Sequence, residues 1–519
     1  MAVASEAFAA PPAVTYLYPA GAQQGITTEV IAAGLTDPSA KVWASGKGVT
    51  AGHLKGKLRV TVAKDAVPGT YWLRAHNVEG ASGLRPFIVG TLPEVAEKEP
   101  NDDSKKPQPI EGPSAVVNGK LDKSGDVDCF AVALKKGQTL VASLEGHDAL
   151  RSPMDAMMQV LSADGFVLDE NNDFHGLDPQ IAFTAKKDGM HIVRVYAFPA
   201  QPDASIRYFG SEACVYRLTL TTGPFPDFAV PLAVGPERKT VQLEGWNLPT
   251  TRKPVSAPLR GPGETHTTAF DPQFGSALRV RLEPHATAAL SRDDKPRPPF
   301  LPPVSVTGRI DANGSPRIAF RGKKGQPLLL QVESRALGLA VNPVLAVLDN
   351  DLKQLARADP PKINSDTALA FTPPADGVYH ASVEDLYRGH GPRHVFLLRI
   401  LSEPDYDLTV AADRFTIGPG KPTTIPVKVN RKFGFTKPVV VTAEGLPASV
   451  KVEVTRPAKP DPNTVTLSLT ADAPFSGSFR LIGTVPDAPA LTRTARFTAP
   501  EFDEPVADLW LTVTPAPKK

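Results

Sequence analysis

The chain repeats itself, and this limits its architecture more than any other feature. The stretch "GKLDKSGDVDCFAVALKKGQTLVASLE" (119–145) returns as "GRIDANGSPRIAFRGKKGQPLLLQVES" (308–334). Both run glycine, basic, apolar, aspartate, then a loop, a strand, a Lys-Lys-Gly-Gln turn and a second strand. Three further pairs follow in order. "MDAMMQVLSADGFVLDENND" (154–173) parallels "VNPVLAVLDNDLKQLARADP" (341–360), and "PQIAFTAKKDGMHIVRVYAF" (179–198) parallels "DTALAFTPPADGVYHASVED" (366–385). "CVYRLTLTTGPFPDFAV" (214–230) parallels "HVFLLRILSEPDYDLTV" (394–410). The offset is 189 at the first block and 180 at the last, as duplication with small loop indels requires. The flanks repeat more weakly, "VTYLYPAGAQQGITTEVIAAGL" (14–35) against "PDFAVPLAVGPERKTVQLEGWNL" (226–248). The order is small module, larger module, small module, larger module, then a last piece.

The repeated unit is built from strands. In "KLRVTVAKDAVPGTYWLRAHN", Leu58, Val60 and Val62 share one face, a Pro-Gly turn follows, and Tyr71 and Leu73 lie on the next strand. "DGMHIVRVYAF" and "DGVYHASVED" each launch a strand from an Asp-Gly turn. Helical periodicity is cut short everywhere by Pro or Gly, 54 and 40 of them against 5 Met. A chain of 519 residues is too long for one core and divides into four or five domains of roughly 100–150 residues. The expected fold is therefore all-β, five antiparallel β-sandwiches in tandem. The boundaries read as 1–10 export-signal remnant or tail, 11–93 Ig-like module, 94–222 first larger sandwich, and 223–300 short Ig-like module with linker. The second larger sandwich follows at 301–408, an Ig-like domain at 409–500, and a C-terminal strand and tail at 501–519.

Charge narrows the function classes. The net charge is +2 with no long basic block, which argues against nucleic acid, since phosphate binding needs a concentrated positive face. No apolar run reaches 18 residues, so no membrane-spanning helix is expected. The opening "MAVASEAFAAPPAV" carries the small residues that end an export signal, without its basic and long apolar regions. It reads as the start of a mature exported protein with an added or misplaced Met, or as a disordered tail.

The most chemically suggestive stretch is "EKEPNDDSKKPQPI" (97–110). Glu97, Glu99 and Asn101 stand at i, i+2, i+4, and in extended chain these project from one face. Pro100 biases Glu99 toward extended geometry. Asp102 and Asp103 add charge, and "SGDVDCF" supplies Asp126 and Asp128. Calcium takes 6–8 oxygen ligands, and these carboxylates with a carbonyl or two suffice. Zinc is disfavoured because no His or Cys cluster accompanies them. The bland alternative is a solvated acidic linker. The second copy lacks the acidic string, and Arg317 falls where a carboxylate would be needed, so no metal is expected there.

With these residues in view, 94–222 resembles the bacterial pre-peptidase C-terminal domain, through "EKEPNDD", "NGKLDKSGDVDCFAVALKKGQTLVASLE", "DGMHIVRVYAF" and "CVYRLTL". Residues 301–408 resemble a divergent second copy, 11–92 an IPT/TIG-like immunoglobulin module, and 223–290 a shorter relative. The fifth block resembles a generic bacterial Ig-like domain. The first larger domain is also similar to the collagen-binding domains of clostridial collagenases. The resemblance implies calcium on a Glu-x-Glu-x-Asn-Asp linker and on a "GDVD" segment, here Glu97, Glu99, Asn101, Asp102, Asp126 and Asp128. It also implies Ig-like modules alternating with jelly-roll-like domains, export, and a binding or structural role.

Cys129 and Cys214 each open a strand of one domain. They are either a disulfide closing a long loop or two buried thiols. No G-x-S-x-G or H-E-x-x-H occurs, and His390 and His394 sit in a Gly/Pro loop near Glu384 and Asp385. Trp43, Trp72, Trp246 and Trp510 fall in separate modules, so no aromatic sugar platform is evident. The expectation is a noncatalytic protein, secreted, periplasmic or on the cell surface, forming an elongated rod. Its partner would be an extracellular protein or polysaccharide. The alternatives are an accessory of a secreted peptidase and a carbohydrate-binding protein.

Overall fold

Alternation of apolar and polar residues decides the strands. Lys57–Val62 buries Leu58, Val60 and Val62 and exposes the residues between them. Among the described residues the strands form ten sheets that pair into five sandwiches, and central strands such as Ser114–Lys120 and Leu509–Val513 are buried on both faces. The computed structural model describes residues 10–515 except 55, 202–206, 252, 258–264, 291–296, 315, 456–460, 489–490 and 499–504. The export-signal remnant therefore lies outside the described residues apart from Ala10. Among the described residues no helix is long and apolar enough to cross a membrane.

Sandwich 1 packs Leu17–Tyr18, Thr27–Ala32, Lys57–Val62 and Val49–Leu54 against Gly21–Gln23, Arg85–Gly90, Gly69–His76 and Lys41–Ala44. Sandwich 2 has β1 (Glu94–Ala96), β2 (Gln108–Pro109), β3 (Ser114–Lys120), β4 (Asp128–Leu134) and β5 (Thr139–Glu145). It continues with β6 (Met154–Ser162), β7 (Val167–Asn171), β8 (Gln180–Thr184), β9 (Gly189–Pro199) and β10 (Val215–Thr221). Its sheets run β2-β4-β9-β6-β7 and β8-β5-β10-β3-β1. Pairing is antiparallel except at edges, where a short strand near the entry to each sandwich joins in parallel, as β1 does beside β3.

The duplication is physical. In sandwich 4 the order Ala286–Ala289, Val304–Arg309, Val395–Leu401, Leu328–Glu333, Thr367–Phe371 reproduces β1-β3-β10-β5-β8. Register is kept, with Val117 opposite Leu218 and Val306 opposite Leu398. Both copies bulge at the same place, Val160/Leu161 and Val347/Leu348. Both also cap a short helical turn with an aspartate. Asp178 accepts from the Gly146 and Ala149 amides, and Asp366 from those of Ser334, Arg335 and Ala336.

Several expectations need correction. Arg317 is not the counterpart of Asp128. It pairs with Ser382 while Cys129 pairs with Arg194, so Pro316 takes the Asp128 position through a one-residue loop deletion that the plain offset concealed. The position still lacks a carboxylate. The C-terminal strand, set apart at 501–519, belongs inside the fifth sandwich. Leu509–Val513 lies between Arg414–Ile417 and Phe475–Thr484 and sends Leu509, Leu511 and Val513 into that core. Ala286–Ala289, placed in the third module, is the edge strand of sandwich 4.

Cys129 and Cys214 are free and buried, so the disulfide alternative is not realised. They belong to opposite sheets. Cys214 joins the core between the sheets, while Cys129, out of phase with inward Phe130 and Val132, faces outward onto Leu161 and Ile192. The rod is not realised either. Sandwich 5 folds back onto sandwich 1, with Arg74 ion-paired to Asp413 and Trp43 edge-on to Trp510 at 5.9 Å between ring centroids. Two tryptophans assigned to separate modules therefore meet.

Candidate metal centre

The linker that leaves β1 is pinned. Gln108 accepts from the Lys98 amide at 2.7 Å and donates to the Ala96 carbonyl at 3.1 Å, drawing β2 against the linker's start. The Glu99–Pro100 peptide is cis. The Asn101 carbonyl accepts from the Cys129 amide at 3.1 Å, which lays the linker beside the head of β4. From the other side, the 122–126 turn closes through the Asp122 amide onto Asp126 Oδ2 at 2.6 Å, with Gly125 at φ +89°. These hydrogen bonds bring Asp126 and Asp128 onto the acidic stretch.

Two carboxylate triads result. Oxygens of Glu97, Glu99 and Asp128 lie within 4.8 Å of one another, as do oxygens of Glu99, Asp102 and Asp126. Glu99 is common to both. The carboxylates anticipated from sequence thus converge, and Asn101 stands against Glu97, donating Nδ2 to its Oε1 at 3.2 Å. Asn101, Asp126 and Asp128 are at most 1% exposed, so the inner half of the group is withdrawn from solvent. Glu99 and Asp102 face solvent and form its mouth. Asp103 stands apart and closes a local turn by accepting from the Lys105 amide.

Two buried oxygens, Asn101 Oδ1 and Asp128 Oδ1, have no hydrogen-bond partner. An orphaned buried acceptor is costly, and in native proteins it asks for a specific explanation. The electrostatics agree. Burial, then the charge of Glu97, pushes Asp128 well above the usual carboxylate range. Burial, then its contact with Asp102, pushes Asp126 up to about 7. Burial and Glu97 also raise Glu99. Crowded carboxylates take up protons when no cation neutralises them. The donor set is hard oxygen throughout, which suits calcium or magnesium and not zinc.

Sequence reading missed Tyr216 on β10. Its hydroxyl donates to Asp128 Oδ2 at 2.5 Å and lies 3.2 Å from Glu97 Oε1, and burial with those two charges raises its pKa. Gly119 opposite it must be glycine, since a Cβ there would sit 2.2 Å from the Tyr216 ring. In sandwich 4 the same pair is Gly308 and Phe396. The second copy has lost the hydroxyl together with the carboxylates, and the difference between "CVYRLTL" and "HVFLLRI" was the available signal.

The site adjoins the joint between sandwiches 1 and 2. Glu97 Oε2 accepts from the Lys120 amide at 2.8 Å, and the Lys120 ammonium lies 5.2 Å from the Tyr18 ring of sandwich 1. Tyr18 donates to the Asn118 carbonyl at 3.2 Å. Burial and the charges of Glu97 and Asp128 push its pKa up to about 12. Nearby, buried Arg217 pairs with Glu94 at 3.0 Å and Glu145 at 3.2 Å, and packs on Gly21 of sandwich 1. Ala20 and Ile88 meet Leu150 and Val215 in an apolar seam beside it. His390 and His394 belong to neither triad. His394 packs against Gly389, close to Asp385.

No family model matches the chain, and no curated protein matches it. Solved structures give loose likenesses. A periplasmic inhibitor of g-type lysozyme from Aeromonas hydrophila is 15% identical over 25% of this chain and 96% of its own, with a TM-score of 0.17. A glucan-utilisation surface protein of Bacteroides ovatus, solved with a mixed-linkage heptasaccharide, is 8% identical over 75% of this chain and 74% of its own, TM-score 0.16. Domains 1–6 of the surface layer protein SbsC are 10% identical over 98% of this chain and 54% of theirs, TM-score 0.16. Scores this low transfer neither ligand nor activity.

Proposed function

We propose that the chain is a noncatalytic exported protein of the pre-peptidase C-terminal domain type, used in adhesion, surface assembly or matrix binding. Calcium held by Glu97, Glu99, Asn101, Asp102, Asp126 and Asp128 stiffens its first joint. The observation that carries the calcium reading is the pair of partnerless buried oxygens, Asn101 Oδ1 and Asp128 Oδ1, among two carboxylate triads. The ion would satisfy both and neutralise charges that otherwise force protonation. Because Glu97 also grips the Lys120 amide beside Tyr18, fixing Glu97 fixes the seam between sandwiches 1 and 2. The noncatalytic reading is supported by a sequence with neither a nucleophile elbow nor a zincin motif.

Isothermal titration of the EDTA-treated full chain tests the site. Extracellular calcium modules bind at about 10⁻⁴–10⁻³ M, and that range is expected here. No heat and no melting shift at several millimolar calcium would end the idea. Hydrolysis of casein or collagen by the intact chain would replace the noncatalytic reading with the peptidase-associated one.

A second reading rests on an aromatic group seen only in three dimensions. Tyr196, Phe198 and Tyr208 gather on the outer face of sandwich 2, with Tyr196 and Tyr208 at 4.5 Å and Arg194 over Tyr196. Phe198 and Tyr208 are exposed. Such a surface suits a polysaccharide partner. A glycan array with wild type and Tyr208→Ala decides it, and equal silence from both would sink it.

A further inference from the structure

The outer sheet face of sandwich 1 is covered by the outer sheet face of sandwich 5. On Gly69–His76 the core takes Tyr71, Leu73 and Ala75, so Trp72, Arg74 and His76 point away from it. Arg74 is nevertheless only 1% exposed. On Leu509–Val513 the core takes Leu509, Leu511 and Val513, yet outward Trp510 is 2% exposed. Each hides the other. Arg74 pairs with Asp413 and lies 5.6 Å from the Trp510 ring. The His76 ring lies tilted against Trp510 at 4.7 Å between centroids and contacts Ser476 Oγ at 3.2 Å, and Arg414 donates to the Ala81 carbonyl at 3.1 Å.

The two faces differ and complement each other. Sandwich 1 offers Lys41, Arg74 and His76, and sandwich 5 offers Asp413 and Asp508 together with Arg414, whose charge opposes that of Arg74. Such a contact is heterologous, and nothing in it requires both faces to belong to one chain. It is also incomplete, since Arg74 Nε and Nη1 are buried without hydrogen-bond partners. Burying part of a guanidinium unpaired weakens the closure. Sandwich 5 follows sandwich 4 after only Ser402, Glu403 and Pro404, a short tether.

We propose that this contact is a releasable clasp and that a second copy of the chain is its alternative partner. Sandwich 5 of one chain then docks on sandwich 1 of the next. Closed within a chain, the clasp gives a monomer. Exchanged between chains, the same atoms give a head-to-tail array that does not close on itself. Which form prevails depends on protein concentration against the effective concentration of the tethered sandwich, on the order of mM for a short linker. The inference is independent of calcium.

Charge reversal separates the two states in the full chain, with EDTA present throughout. Arg74→Glu sets Glu against Asp413, and Asp413→Arg sets Arg against Arg74, so each single variant opens and its radius of gyration rises. The double variant restores the pair and returns to wild-type compactness. An equimolar mixture of the single variants restores the pair only between chains, and its mass by light scattering rises about twofold or more at ~100 µM. A mixture that stays at monomer mass overturns the trans partner. Single variants as compact as wild type, or a double variant that stays open, overturn the clasp. Circular dichroism checks that each variant is folded. A second pair guards against misfolding. His76→Cys and Ser476→Cys chains, mixed and oxidised, yield a 76–476 crosslinked dimer on a nonreducing gel, and failure to form it counts against exchange.

Discussion

Replacing Asp128 with asparagine separates a metal site from an acidic linker, because the two make opposite forecasts. Asp128 is 0% exposed, and its carboxylate lies within 4.8 Å of those of Glu97 and Glu99. Two unit charges at that separation repel by about 3 kcal/mol at an effective dielectric of ~20. Without a cation, burial and that repulsion favour the protonated form of Asp128, the direction in which its pKa is displaced. Asparagine is close in shape to that protonated acid, so the variant in EDTA should melt within about 1 kcal/mol of wild type. Calcium changes the comparison. For a dissociation constant of about 10⁻⁴ M, about 10 mM calcium stabilises wild type by about 2.7 kcal/mol. A domain of this size shifts by roughly 3–5 °C per kcal/mol, giving about 10 °C for the transition that includes sandwich 2. The asparagine variant should lose most of that shift. Differential scanning calorimetry in EDTA and in calcium, on both proteins, supplies the comparison. A full calcium shift in Asp128→Asn would refute Asp128 as a ligand, and a large loss of stability in EDTA would refute its protonated state.

Other predictions follow from the same geometry. Asp126 is raised to about 7 in the fold from near 3.8 unfolded, so its contribution to stability is present below about 3.8 and lost as pH rises through about 7. EDTA-treated protein should therefore melt lower at pH 8 than at pH 5, with calcium removing the difference, and Asp126→Asn should flatten the profile. Tyr216→Phe imitates Phe396 of the second copy; the fold should persist while calcium affinity falls about tenfold by titration calorimetry. Gly119→Ala places a Cβ 2.2 Å from the Tyr216 ring and should cost about 2 kcal/mol or more in urea unfolding. Gly21→Ala meets Arg217 Nη1 at 2.1 Å and the Ile88 carbonyl at 2.2 Å, and should loosen the first joint, read as faster proteolysis of the 91–93 connection.

Local pattern made much of this legible. Leu58, Val60 and Val62 declare a strand because its side chains alternate every two residues, and the Lys-Lys-Gly-Gln turns declare a repeat because equal segments fold alike. Glu97, Glu99 and Asn101 declare shared oxygens for the same reason, being neighbours on one extended segment. The tertiary structure alone supplied the rest. Tyr216 reaches Asp128 across 88 positions of chain, and no spacing rule foretells which tyrosine will stand over a site. A one-residue loop deletion moved Arg317 off the Asp128 position, which only strand pairing reveals. Arg74 and Asp413 are 339 residues apart, and each lies on an ordinary outward-facing strand or its approach. Periodicity tells a side chain which face it occupies, whereas what covers that face is set by how whole sandwiches dock. That docking turned an expected rod into a chain whose ends meet.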